Sequence, residues 1–266
     1  MVPWFAEAGR LPAEDALDLP RPGPARDGAV RIAVPILPGI ANFDDLDPLK
    51  LEPGIDLRFL RPGQPIPGDA DLVILPGSKT TLRDLAALRE VGWDIDILAH
   101  RRRGGHVLGL CGGYQMLGAT VRDPLGLEGP PGSAEGLGLL AVETELVPDK
   151  TVRTVSVEHR ASGASGQAYE IHLGRSDGAD RVRAPFSVGG RPEGAASPDG
   201  RVLGTYLHGV LTSDPLRRAV LAAIAPGLPA GEAYEPAVED TLDRLAAHLA
   251  RHLDCQALLD LARSRA

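Results

Sequence analysis

A chain of 266 residues with a net charge of −8 has no basic footprint for nucleic acid, and none of its apolar runs approaches the ~20 residues of a membrane helix. Hydrophobic residues at 43% and charged ones at 24% suit a globular protein with one large core. Two cysteines, Cys111 and Cys255, make no disulfide framework, and Met1–Glu7 lacks a signal-peptide pattern, so a reducing cytoplasm is the expected compartment.

Residues 1–28, with Pro12, Pro20, Pro22 and Pro24 and few apolar runs, read as an arm or linker. Regular pattern follows. Val30–Leu37, Ile55–Leu60, Asp71–Leu75 and His106–Leu110 are short apolar runs, and between them Thr81–Arg89 and Trp93–Arg103 space apolar residues three and four apart. Strands alternating with helices predict an α/β fold, a mainly parallel sheet flanked by helices. Pro35 must lie near a strand end or at a bulge. Leu139–Val147, Thr151–Glu158, Gln167–His172 and Arg201–Thr205 read as strands extending that sheet antiparallel. Helix returns at Ser213–Ala225, with Asp214 as cap and Pro215 at the first helical position. Val238–Arg263 is helical with a break near Asp254. The expected domain therefore covers 29–228, with a helical segment over 229–266 packed on it and Cys255 in its core.

The chemistry concentrates at Leu108-Gly109-Leu110-Cys111-Gly112-Gly113-Tyr114-Gln115. Strand, Gly-Leu-Cys-Gly-Gly, then helix is a nucleophile elbow with cysteine in the serine's place. Small neighbours suit a strained turn, and the helix start offers backbone N–H groups to an oxyanion. A lone cysteine at a strand end is ordinarily a small buried hydrophobe. Glycines at 109, 112, 113 and 118, together with Gln115, argue against that reading here.

A cysteine nucleophile needs a base, and there are seven histidines. His248 and His252 sit at helical spacing on a surface; His100, beside Arg101–Arg103, reads as part of a solvated face. His106 opens the elbow strand at the wrong end, and spacing leaves His159 and His172 open. His208, in Gly204-Thr205-Tyr206-Leu207-His208-Gly209, follows a short strand, where α/β sites assemble, and is the expected base. Leu75-Pro76-Gly77-Ser78-Lys79 ends another strand and offers Gly77 and Ser78 as further oxyanion donors.

In this order, these pieces resemble the class I (triad) glutamine amidotransferases, whose fold is flavodoxin-like. The resemblance implies Cys111 as nucleophile, His208 as base, Gln115 holding the amino-acid end of glutamine, and Gly112 facing Gly77 and Ser78 across the oxyanion. Leu11–Asp15 (LPAED), Ala41–Leu49 (ANFDDLDPL), Leu75–Leu85 (LPGSKTTLRDL), Tyr169–Gly174 (YEIHLG) and Gly204–Gly209 (GTYLHG) narrow it to the carboxyl-terminal part of the cobyric and cobyrinic acid synthases. The glutamate usually found two residues after the histidine is Val210 here, an absence this branch shares. Glu170 is the candidate orienting group, and His172 joins it on the expected substrate-binding list.

The resemblance further implies L-glutamine as substrate and an ATP-dependent synthetase domain or subunit as partner, ATP and Mg serving that domain alone. No metal and no cofactor are expected in these residues. A GxxxxGK[ST] phosphate loop is not among them, so the chain is expected to be a fragment, a separated subunit or a mispredicted start. Alternatives are a non-catalytic docking or regulatory module, a glutaminase for a cobyrinic acid a,c-diamide or cell-wall synthetase, and a cysteine hydrolase without amidotransferase role.

Overall fold

The computed structural model describes residues 1–12 and 29–264; the rest of the proposed linker, with Ala13-Glu14-Asp15, lies outside them. Among the described residues six strands form the main sheet, in the order Ala195–Ala196, Val202–Thr205, His106–Leu110, Leu72–Leu75, Val30–Pro35, Ile55–Leu60. All neighbours are parallel except the Ala195–Ala196 edge. The central strands are continuous apolar runs because both faces are covered. Ile32, Val34, Leu72, Ile74, Leu108 and Leu110 enter one core, whereas Ala33, Val73, Leu75 and Val107 enter the other, the period of two that a strand imposes.

Helices Thr81–Glu90 and Trp93–Arg102 cover the second core through Leu85, Leu88, Trp93 and Ile97. Helix Asp214–Ile224 covers the first through Leu216, Val220 and Leu221, each contributing roughly 1.5–3 kcal/mol by burial. Pro35 is the last residue of its strand, opposite Leu60 and past the pairing of Ile32 and Ala33 with Leu72 and Val73, so its missing N–H falls at the end of the ladder.

The stretch from Glu143 onward departs from expectation. Through Asp177 it centres a second, seven-stranded sheet, which Thr120–Asp123 and Gly132–Glu135 also enter, rather than extending the first; Val202–Thr205 does join the first sheet, but parallel to His106–Leu110 and not antiparallel. The centre of the second sheet is one long hairpin, Glu143–His159 against Ser165–Asp177. Pro148, which reads as a break between two strands, lies in a bulge of one: the register passes from His172↔Thr151 to Gly174↔Leu146, so Val147–Lys150 face Leu173 alone. Val155, Val157 and Ala168 of this hairpin pack into the first core. The chain crosses between sheets at Tyr206, where Val202–Thr205 pairs with the elbow strand and Leu207–His208 pairs with Tyr169–Glu170.

Helices Tyr234–His252 and Cys255–Ser264 follow, separated at Leu253-Asp254. The first buries Tyr234, Ala237 and Thr241 and meets the arm, through Arg244 on Glu7 and His248 Nε2 on Pro3 O. The second buries nothing, and Cys255 is exposed, correcting its expected place in the core. Two smaller expectations also change. Ser213 occupies the cap position, while Asp214 binds Arg217 and the Tyr234 N–H. His100 is buried, with Nε2 2.9 Å from His106 O, and burial lowers its pKa. No described helix is long and apolar enough to cross a membrane.

Candidate active site

Cys111 stands between the strand His106–Leu110 and the helix Gly112–Leu117 with φ 49° and ψ −107°, a conformation that costs an L-residue of order 1–3 kcal/mol and clusters at functional sites. Two glycines make the turn possible. A Cβ on Gly113 would lie 2.1 Å from Leu75 O, and one on Gly112 would lie 2.8 Å from both Ser78 N and Ser78 Cβ. The second approach brings the elbow against the Gly77–Ser78 turn, itself paired with Ile40–Ala41. The Ser78 hydroxyl donates to Asp84 Oδ2 (2.7 Å) and accepts from Thr80 N (3.0 Å). Its side chain is therefore committed, which leaves the backbone as the part facing the elbow.

The thiol of Cys111 donates to Ile171 O of the long hairpin at 3.6 Å. His208 is buried beside it. Its Nδ1 donates to Asp45 Oδ2 at 2.6 Å, the other oxygen of Asp45 accepts from Gly209 N at 2.7 Å, and Nε2 has Cys111 as its neighbour, with no conventional hydrogen-bond partner among the described residues. Burial alone would pull the imidazole pKa below 6.5; Asp45 and Cys111 outweigh it and push it up to about 10. The ring is thus held protonated beside the Cys111 sulfur, placed to give up a proton as a general acid.

Asp45 is the residue that sequence reasoning missed. It is buried in the short turn Phe43–Leu46 and lies 163 positions before His208. Glu170 does not touch His208; it is the cross-strand partner of Arg153 and pairs with that guanidinium. The signal that could have found Asp45 was the NFDDLDPL stretch, where Asp44, Asp45 and Asp47 crowd together in a segment with few cations.

The remaining expected residues divide. Gln115 is buried, with its carboxamide oxygen accepting from Thr81 Oγ1 (2.9 Å) and its nitrogen donating to Tyr206 Oη (3.4 Å). His172 stacks on Tyr206 (centroids 3.9 Å) and donates from Nδ1 to Gly174 O at 2.8 Å; burial lowers its pKa. Both line a cavity of about 240 Å³ that opens on Cys111, together with Ser78, Lys79, Glu128 and Lys150. Lys150 reaches it from the bulge at Pro148. Glu128, its pKa raised by burial, accepts from Thr81 N at 2.7 Å. A larger cleft of about 660 Å³ lies beyond Tyr206 and His172, lined by Arg153, Glu170 and Glu193, but neither Cys111 nor His208 borders it. The smaller cavity is the one that meets the chemistry. Among the described residues no His/Cys/Asp/Glu cluster is arranged to hold a metal ion.

A cysteine elbow at the end of a parallel α/β sheet, paired with a buried His–Asp dyad, is a site built for nucleophilic attack on an acyl carbon. The family model for the CobB/CobQ-like glutamine amidotransferase domain matches residues 31–216, and the chain belongs to that family. It is 58% identical over 264 residues to the cobyric acid synthase of Bradyrhizobium diazoefficiens and 57% identical over 263 residues to that of Cereibacter sphaeroides; each alignment covers 99% of this chain and 54% of the relative. The chain thus spans about half the length of these curated relatives. Among solved structures, PurLQS from Thermotoga maritima aligns with TM-score 0.54 at 19% identity, over 80% of this chain and 99% of that one. A structure described as a glutamine amidotransferase aligns with TM-score 0.55 at 20% identity, over 73% and 97%. At these identities the structures speak for the fold alone.

Proposed function

We propose that this chain is the glutamine-hydrolysing half of a cobyric acid synthase, releasing ammonia for ATP-dependent amidation of corrin side-chain carboxylates by a synthetase domain or subunit. The observation that carries the proposal is the Cys111–His208–Asp45 line, whose cysteine opens on a cavity lined also by Glu128 and two lysines. An amino acid entering by its side chain presents an α-ammonium to Glu128 and an α-carboxylate to Lys79 and Lys150. Its carboxamide then reaches Cys111.

In this reading Cys111 Sγ attacks the carboxamide carbon, and the N–H groups of Gly112 and Ser78 take the oxyanion. His208 gives its proton to the departing nitrogen, so ammonia leaves and a thioester remains. Water then attacks the thioester, with His208 as base, and glutamate leaves as the thiol is restored. Gln115 shapes the pocket wall, and the Ser78 side chain braces its turn. Glu170 and His172 take no bond-making part. ATP and Mg belong to the partner, and no cofactor serves the glutaminase step.

Identity across nearly the whole chain favours the cobyric acid branch over a cobyrinic acid a,c-diamide or cell-wall partner. A non-catalytic docking module has no use for a strained cysteine against a His–Asp dyad. The test is covalent: 6-diazo-5-oxo-L-norleucine should label Cys111, located by peptide mass spectrometry, and Cys111→Ala should abolish the label. With the synthetase half of a relative added, glutamate should be released from glutamine. Absence of both label and glutamate, beside an active control enzyme, would overturn the proposal.

A further inference from the structure

The imidazole of His208 has a third neighbour. Tyr169 lies nearly flat against it, with centroids 5.2 Å apart and planes 20° from parallel. The two residues are direct cross-strand partners, which puts their side chains on one face. The Tyr169 hydroxyl accepts a hydrogen bond from Asn42 Nδ2 at 3.1 Å. Asn42 immediately precedes the turn that presents Asp45 and holds a left-handed backbone, φ 51° and ψ 40°, which asparagine tolerates better than most residues. Asn42 also lines the cavity on Cys111.

We propose that Tyr169 and Asn42 are positioning residues for the glutaminase reaction: Tyr169 fixes the plane of His208, and Asn42 ties that plane to the turn carrying Asp45. The proposal rests on the roles given to Cys111 and His208 above. One hydrogen bond at Nδ1 leaves an imidazole free to pivot about it; a ring against its face removes that freedom. The face of an aromatic ring also attracts a cation above it. The hydroxyl of the same residue holds the start of the Asp45 turn. Carboxylate and imidazole therefore share a brace beyond their own bond. Because Asn42 forms part of the cavity wall, an occupant of the cavity touches the brace directly.

The charged and titratable groups facing His208 are Asp44 and Asp45 from the turn, Cys111 from the elbow, and His172 and Tyr169 from the hairpin. Only Tyr169 changes in the variants below. The experiment follows the His208 ring nitrogens by ¹⁵N NMR through a pH titration of the full chain, assigned by their loss in His208→Gln. In parallel, iodoacetamide alkylation of Cys111 is timed at neutral pH in a Cys255→Ser background, which silences the exposed second thiol. Tyr169→Leu keeps the site filled and dry while removing ring and hydroxyl. It should move the His208 midpoint down by about one pH unit, a tenfold change in proton affinity, and slow alkylation about tenfold through lost alignment of the ring with Cys111, since the ring stays protonated at neutral pH. Tyr169→Phe cuts only the tie, and Asn42→Gly cuts it while keeping the left-handed backbone unstrained; each should slow alkylation by a smaller factor, about threefold, with the double variant no slower than either single one.

An unchanged titration in Tyr169→Leu, even with a lowered melting temperature, would overturn the proposal, as would additive effects in the double variant. A wild-type chain whose His208 titrates high but whose Cys111 refuses the diazoketone would sink the glutaminase reading and leave the brace standing.

Discussion

Replacing Asp45 by asparagine perturbs the site with the least change of shape. The carboxylate accepts from both His208 Nδ1 and the Gly209 N–H. A carboxamide has one acceptor oxygen, so one of these donors must face its NH₂ group. Losing a charge-assisted bond and leaving a buried donor unsatisfied should cost about 3 kcal/mol together, near the lower end of what opening a buried charge pair costs.

The sign with pH follows from His208, whose pKa of about 10 in the folded chain lies above the ordinary 6.5. Stabilisation from the protonated ring is fully present below the lower value and lost as pH rises through the higher one. Urea unfolding should therefore show the widest gap between wild type and Asp45→Asn near about pH 6, closing toward about pH 10. Diazoketone labelling of Cys111 should slow by at least about a hundredfold, since an imidazole without its orienting carboxylate loses much of its use as acid and base. Equal urea midpoints at the low pH, or a gap that widens as pH rises, would refute the reasoning.

Three further outcomes are expected. Cys111→Gly should be more stable than Cys111→Ala by about 1 kcal/mol in thermal unfolding, because glycine adopts the elbow's positive φ without strain; equal stability would show that the turn relaxes around alanine. Gly112→Ala places a methyl 2.8 Å from Ser78 N and should spread the oxyanion donors, with labelling of Cys111 falling about a hundredfold while far-ultraviolet circular dichroism stays unchanged. Arg217→Met strands the buried Glu52, which Arg217 Nε holds at 2.6 Å; urea unfolding should report a loss of about 3–5 kcal/mol, and adding Glu52→Gln should recover part of it.

What sequence revealed and what it hid divide along a physical line. The elbow was legible because its strand is an apolar run and its glycines are a local steric requirement. His208 was legible because the chemistry of α/β sheets gathers at strand ends. Asp45 was not, since a carboxylate in an irregular turn carries no periodicity and its partner lies 163 residues away. Glu170 misled because it neighbours Tyr169, yet successive strand residues leave on opposite faces, so Tyr169 meets His208 and Glu170 meets Arg153. The break at Pro148 was real as a loss of ladder bonding, but a bulge absorbs it without ending the strand. At the carboxyl end, apolar spacing at Leu258, Leu259 and Leu261 looked like a core face, although each of these leucines is more than half exposed. Periodicity shows that a face is apolar; it does not supply the surface that covers it.

Asp45 with His208 and Glu52 with Arg217 have one property in common. Both join the segment just after the first strand to the segment just after the last strand of the main sheet, across separations of 163 and 165 residues. Contacts so distant in sequence close large loops and form late in folding. During synthesis the elbow cysteine emerges well before His208 and can meet it only after the last strand has been laid in place. A growing chain would accordingly hold the cysteine without its base, and the meeting of Cys111 with His208 would be one of the last events of folding, when the core that restrains it is already built.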